Sequence, residues 1–259
     1  MEKYRSKEIY ADFYENEEKS LAVIIGGSVP GIPANINDDL SNYLKQNFNV
    51  LFLAYYGIGG LPKSLEMVPI EYFINVINFI KEKQNISDDK VIIIGQSKGG
   101  EAALVLTNYI RSAITIATVP SSYVFQGLPE DLFSIYKMQP KASWSFNNKE
   151  LPYIKFSFDE TSMNCAKNKN FCKCYETSIE KNFNSDALIN LDSYKGKVLL
   201  ISSENDQYWP SKNMCDTLLE NSKNKDNIKH VSLNLEGHYF LWYEESVREI
   251  ISYLKANVQ

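Results

Sequence analysis

The stretch KVIIIGQSKGGEAALVL, from Lys90 to Leu106, decides the fold. Its first part, KVIIIG (Lys90 to Gly95), is a short apolar run of β-branched residues, which suits a strand buried on both faces. Its second part is rich in good helix formers, with Ala102, Leu104 and Leu106 available for packing, and the helix is expected to continue through LTNYI to Ile110. Between them stands Gly95-Gln96-Ser97-Lys98-Gly99, a serine flanked by glycines at the turn from strand to helix. Such a turn is strained and lifts the serine hydroxyl above the sheet, while the glycines let neighbouring backbone approach without a Cβ clash. Ser97 is therefore the candidate nucleophile. The plainer alternative is a glycine-rich connection with no chemistry.

Outward from this stretch the same alternation repeats. LAVIIGG (Leu21 to Gly27), NVLFLAYYG (Asn49 to Gly57), AITIATV (Ala113 to Val119), KVLLISS (Lys197 to Ser203) and HVSLNL (His230 to Leu235) read as strands. PIEYFINVINFIKEKQN brings Ile70, Phe73, Ile74, Ile77 and Ile80 to one face of a helix that Pro69 can start. A short helix is expected from Asn213 to Glu220, and SVREIISYLKAN closes the chain with Val247, Ile250, Ile251 and Leu254 on one side. Strands alternating with helices predict an α/β architecture with a mostly parallel, doubly wound sheet. The segment from about Ser121 to Asp192 holds Pro129, Pro140 and Pro152, many Asn and Lys, and no sustained period. It is read as an insertion over the sheet, a lid.

The 259 residues, 44% hydrophobic and 23% charged, are enough for a sizeable core in one domain. A net charge of -5 and a pI near 5.3 argue against a nucleic-acid partner, because no basic block is present to neutralise phosphates. The N-terminal MEKYRSKEIYADFYENEEKS is charged throughout and lacks the apolar core of a signal peptide, and no segment offers a membrane span, so a cytoplasmic location is expected. Cys165, Cys172, Cys174 and Cys215 form no paired C-x-x-C knuckle and neither histidine lies near them, so reduced thiols and no metal are expected. The lysines from Lys167 to Lys173 read as a solvated loop.

A serine hydroxyl needs a base within hydrogen-bond reach and a third group to orient that base. Only two histidines are available. His230 begins an apolar strand, whereas His238 follows Glu236-Gly237 on the loop after it, so His238 is the candidate base. In ISSENDQYWPS the loop after the preceding strand offers Asp206 and, as an alternative, Glu204. Asp206 lies past the strand end, where a side chain can turn toward the site. The order Ser97, Asp206, His238 is the one associated with a G-x-S-x-G elbow. A developing oxyanion would meet the N–H of Lys98 and one from Ser28 or Val29 in GGSVPG; Pro30 has no N–H. That loop matches neither phosphate-binding glycine motif. Phe125, Trp144, Tyr208 and Trp209 are candidate pocket residues, although aromatics also serve as ordinary core.

Several stretches together resemble the catalytic domain of the bile acid-CoA:amino acid N-acyltransferase and acyl-CoA thioesterase family. They are GGSVPG from Gly26, LAYYGIGGLPKSLEMVPIEYF from Leu53 to Phe73, IGQSKGGEAAL from Ile94 to Leu104, SSYVFQG from Ser121, SWSFNNKELPYI from Ser143 and NDQYWPS from Asn205. The resemblance implies an α/β-hydrolase fold with Ser97, Asp206 and His238 as its triad, no cofactor, and a small-molecule acyl ester or acyl-CoA substrate. Serine at position 97 is similar to the thioesterase members; the amino acid conjugating members tend to use cysteine. The expected function is a serine hydrolase of acyl thioesters or esters. The alternatives are a dienelactone hydrolase-like or peptidase-like enzyme, an N-acyltransferase, and a non-catalytic binding protein of the same fold. Eukaryotic members carry an immunoglobulin-like domain ahead of this one, whereas about twenty residues precede Leu21 here.

Overall fold

A computed structural model of the chain describes residues 1–17 and 19–258. The strands are β1 (Glu2–Arg5), β2 (Tyr10–Tyr14), β3 (Leu21–Ile25), β4 (Asn49–Leu53), β5 (Val68–Pro69), β6 (Val91–Gln96), β7 (Ile114–Thr118), β8 (Trp144–Phe146), β9 (Lys149–Glu150), β10 (Lys197–Asn205) and β11 (Ile228–Glu236). The helices are α1 (Asp38–Asn47), α2 (Ile70–Gln84), α3 (Lys98–Leu106), α4 (Glu160–Lys167), α5 (Phe171–Lys181), α6 (Ser211–Asn221) and α7 (Glu244–Asn257).

Eight strands form the main sheet in the order β1-β2-β4-β3-β6-β7-β10-β11. From β4 to β11 every pairing is parallel, and β1 and β2 add an antiparallel edge. Strands β3, β4, β6 and β7 are buried at every residue, as their unbroken apolar runs require of strands covered on both faces. Alternate residues divide between two cores: Val23, Leu51 and Ile93 face one, Ile24, Phe52 and Ile94 the other. Helix α2 buries Ile70, Phe73, Val76, Ile77 and Ile80, with Ile74 half-buried beside them, and ends on Asn85 in the left-handed conformation (φ 53°).

The structure departs from the sequence reading in four places. Helix α3 stops at Leu106, with Thr107 as its C-cap and the Thr107 hydroxyl on the Leu104 carbonyl. The charged N-terminus supplies β1 and β2; YADFY alternates, burying Ala11 and Phe13, and the charges around it mask the period. Helix α1 buries only Leu40 and Leu44 and is started by Asn37, whose side chain accepts from the Asp39 N–H. The insertion is structured: α4 and α5 carry Asp159 and Asn170 as side-chain caps, and β8 and β9 form a hairpin across Asn147-Asn148, both at positive φ.

The glycines of the elbow are fixed by backbone packing. A Cβ on Gly95 would overlap the Gly99 carbonyl, and one on Gly99 would overlap the carbonyls of Gly26 and Ile25. Backbone on both sides has nowhere to go, so Gly99→Ala is expected to lose about 3 kcal/mol or more, read from its denaturant midpoint.

Candidate active site

At the carboxyl end of β6 the chain reverses into α3, and Ser97 takes the turn at φ 57° and ψ -120°. That conformation is unfavourable for a residue with a side chain and persists because its surroundings hold it. The Ser97 N–H donates to the Thr118 carbonyl at 2.9 Å, and the Ser97 carbonyl accepts from the Glu101 N–H at 2.9 Å. Ser97 Oγ lies 2.7 Å from His238 Nε2. On the far side of the ring, His238 Nδ1 lies 2.8 and 2.9 Å from the two carboxylate oxygens of Asp206. The same carboxylate also accepts from the Tyr208 N–H at 2.9 Å, so the acid is held by its own loop as well as by the imidazole. All three side chains are nearly buried.

Glu204 is still within β10, where it reaches the Ser232 hydroxyl at 3.5 Å on the exposed side. His230 lies inside β11 and bonds the Ser202 hydroxyl at 2.8 Å; burial lowers its pKa. Neither lines the cavity above Ser97.

That cavity measures about 240 Å³. The loop after β3 gives it Val29, Pro30 and Ile32, and Leu241 adds a further apolar surface. Tyr175 of α5 and Trp209 also line it. Ser28 and Val29 stand on its wall, in a loop whose carbonyls are engaged: Tyr55 Oη donates to Gly27 at 2.5 Å, and Tyr56 Oη donates to Ser28. Gly27 leaves room beside Ser97, since a Cβ there would stand 3.3 Å from Ser97 Cβ.

The Lys98 N–H is one of the donors that the first turn of a helix leaves free. Its side chain runs into the protein. The buried ammonium bonds both Glu101 oxygens at 2.9 and 2.8 Å and Ser143 Oγ at 2.7 Å. Glu101 in turn accepts from Trp144 Nε1 at 2.8 Å. Burial lowers the lysine pKa and raises that of the carboxyl, but Glu101 and Ser143 together take all three ammonium protons.

Of the four aromatics expected in the pocket, Tyr208 and Trp209 line it and Phe125 and Trp144 do not. Phe125 packs behind the wall against Tyr175 and Phe156, and Trp144 is spent on Glu101 and on Tyr55 and Phe73. Cys172 donates its thiol to the Asp206 carbonyl at 2.9 Å, and burial pushes its pKa up to about 12, which keeps it a thiol. Among the described residues no group of His, Cys, Asp and Glu is placed to hold a metal, and no helix is long and apolar enough to cross a membrane.

The family model for the BAAT / acyl-CoA thioester hydrolase C terminal matches residues 68–241, more than half of the chain. The chain belongs to this family. Mouse mitochondrial acyl-coenzyme A thioesterase 2 is 35% identical over 74 residues, which are 29% of this chain and 16% of the mouse protein. Rat acyl-coenzyme A amino acid N-acyltransferase 2 is 23% identical over 186 residues, 72% of this chain and 40% of the rat protein. The chain thus spans well under half the length of these curated relatives.

Solved structures show that the fold of this BAAT / thioester hydrolase domain is that of the α/β hydrolases. A Pyrococcus furiosus esterase superposes with a TM-score of 0.62 at 13% identity, over 97% of this chain and 86% of its own. A meta-cleavage product hydrolase of Pseudomonas fluorescens gives 0.59 at 16% identity, over 99% and 98%. Tyr175 and Glu101 are among the residues at the site of this family member that sequence reasoning does not reach. Tyr175 falls in a stretch without recognised period, although Asn170 as its helix cap was a readable signal. Glu101 follows the glycines of the elbow, and nothing local distinguishes it from a solvated helix residue.

Proposed function

We propose that the chain is a serine hydrolase that cleaves a small-molecule acyl thioester through an acyl-enzyme. The observation that carries this reading is the unbroken run of hydrogen bonds from Ser97 Oγ through His238 to Asp206, at the floor of a largely apolar cavity. Membership of a thioester hydrolase family, and a mouse relative named an acyl-coenzyme A thioesterase, support the thioester over an oxygen ester.

Ser97 Oγ attacks the thioester carbonyl while His238 Nε2 takes its proton, and Asp206 stabilises the imidazolium that results. The carbonyl oxygen becomes an oxyanion facing the N–H of Lys98 and that of Ser28 or Val29. Collapse breaks the C–S bond, and His238 returns the proton to the departing sulfur. Water then repeats the sequence on the acyl-serine, releasing the acid and restoring Ser97.

A fluorophosphonate probe tests the nucleophile and a thioester assay tests the reaction. One phosphonyl adduct on the peptide bearing Ser97, with thiol release from an acyl-CoA, is expected. Labelling elsewhere, or an unlabelled and inactive protein, would sink the reading. A second reading, transfer of the acyl group to an amino acid, draws on the rat relative, whose match covers 72% of this chain. An N-acyl amino acid in place of the free acid, when glycine is supplied, would favour it.

A further inference from the structure

Tyr175 stands in the cavity wall, projected from α5 of the insertion, and among the described residues its hydroxyl has no hydrogen-bond partner. It is not one of the sealed, unsatisfied polar atoms of the interior, so the hydroxyl opens onto accessible space. The ring is held edge-on to Phe125 at 5.0 Å, to Trp209 at 5.3 Å and to Phe156 at 5.5 Å, which fixes where the hydroxyl points. Two neighbouring donors are taken: Trp209 Nε1 bonds the Val119 carbonyl at 2.9 Å, and the Lys98 ammonium is spent on Glu101 and Ser143. Burial raises the Tyr175 pKa, so the group stays an O–H donor.

We propose that the Tyr175 hydroxyl recognises the leaving thiol of the substrate, by donating to an amide carbonyl a few bonds from the scissile sulfur. This rests on the thioester reading of the same site. The side of the cavity follows from the chemistry: His238 must hand its proton to the departing sulfur, so the leaving group lies on the imidazole side. Trp209 packs edge-on to His238 at 5.4 Å and Tyr175 packs on Trp209, which puts Tyr175 on that side. The apolar loop with Val29, Pro30 and Ile32 is left for the acyl chain. The hydroxyl faces accessible space with no hydrogen bond to the described residues, so an acceptor on the bound substrate accepts from it without breaking a bond within the protein.

The test compares two thioesters of one short acyl group, that of N-acetylcysteamine, which carries the amide, and that of butanethiol, which does not. The wild-type protein is expected to favour the first by about tenfold in kcat/KM, close to what one net hydrogen bond contributes. Tyr175→Phe keeps the ring and its packing and is expected to bring the ratio to about one. A wild-type ratio near one, or a Tyr175→Phe variant that slows both thioesters equally, overturns the proposal and leaves the thioesterase reading standing. Wild-type protein that cleaves neither thioester overturns both.

Discussion

Ser97→Ala is expected to lose turnover by a factor on the order of 10⁶ while melting close to the wild-type temperature. The loss is large because the covalent step disappears and the other two members of the triad have nothing to activate. The fold should survive, since the backbone anchors of residue 97, its N–H on Thr118 and its carbonyl under Glu101, do not involve the side chain. What the variant gives up structurally is the bond from Oγ to His238 Nε2, worth about 1 kcal/mol. Thioester turnover by the purified variant, with a thermal melt on the same preparation, checks both halves. Turnover within tenfold of wild type would remove Ser97 from the mechanism.

The second large effect is at the acid. Asp206→Asn is expected to lower kcat by as much as about 10⁴-fold. The amide can still accept from the Tyr208 N–H, as the Asp206 oxygen does, so the loop should keep its shape. The imidazole, however, loses the carboxylate that holds its tautomer and stabilises its charged form. Glu204→Gln is the control, two residues away on the same segment; its side chain reaches the Ser232 hydroxyl and should leave kcat near wild type. Kinetics of the two variants side by side decide the matter, and a crippled Glu204→Gln with an active Asp206→Asn would reverse the assignment.

What was legible in the sequence was whatever is repeated or locally forced. Strands covered on both faces must be continuously apolar, so β3, β4, β6, β7 and β10 stood out as runs, and the elbow was visible because only glycine fits at positions 95 and 99. The order of strands and loops pointed to Ser97 and His238 and offered Asp206 with Glu204 as the alternative; the structure brings Ser97, His238 and Asp206 into one hydrogen-bonded run and leaves Glu204 outside it. Elements that bury few residues were hidden: α1 has only Leu40 and Leu44 on its inner face, and β2 hides Ala11 and Phe13 among exposed charges. The pocket was least legible. Phe125 and Trp144 have the same composition signal as Tyr208 and Trp209, and only tertiary packing decides which of them reach the cavity.

The contact of Gly99 with the carbonyls of Gly26 and Ile25 joins the nucleophile turn to the loop that carries Ser28 and Val29, backbone against backbone. These two parts are therefore packed as one unit, in which a side chain added at 26, 27, 95 or 99 is expected to be felt at Ser97. Elsewhere the wall is made by side chains, among them Val29 and Ile32. Changes in what the cavity accepts are expected to fall on such side chains, with the backbone contact beneath Ser97 left in place.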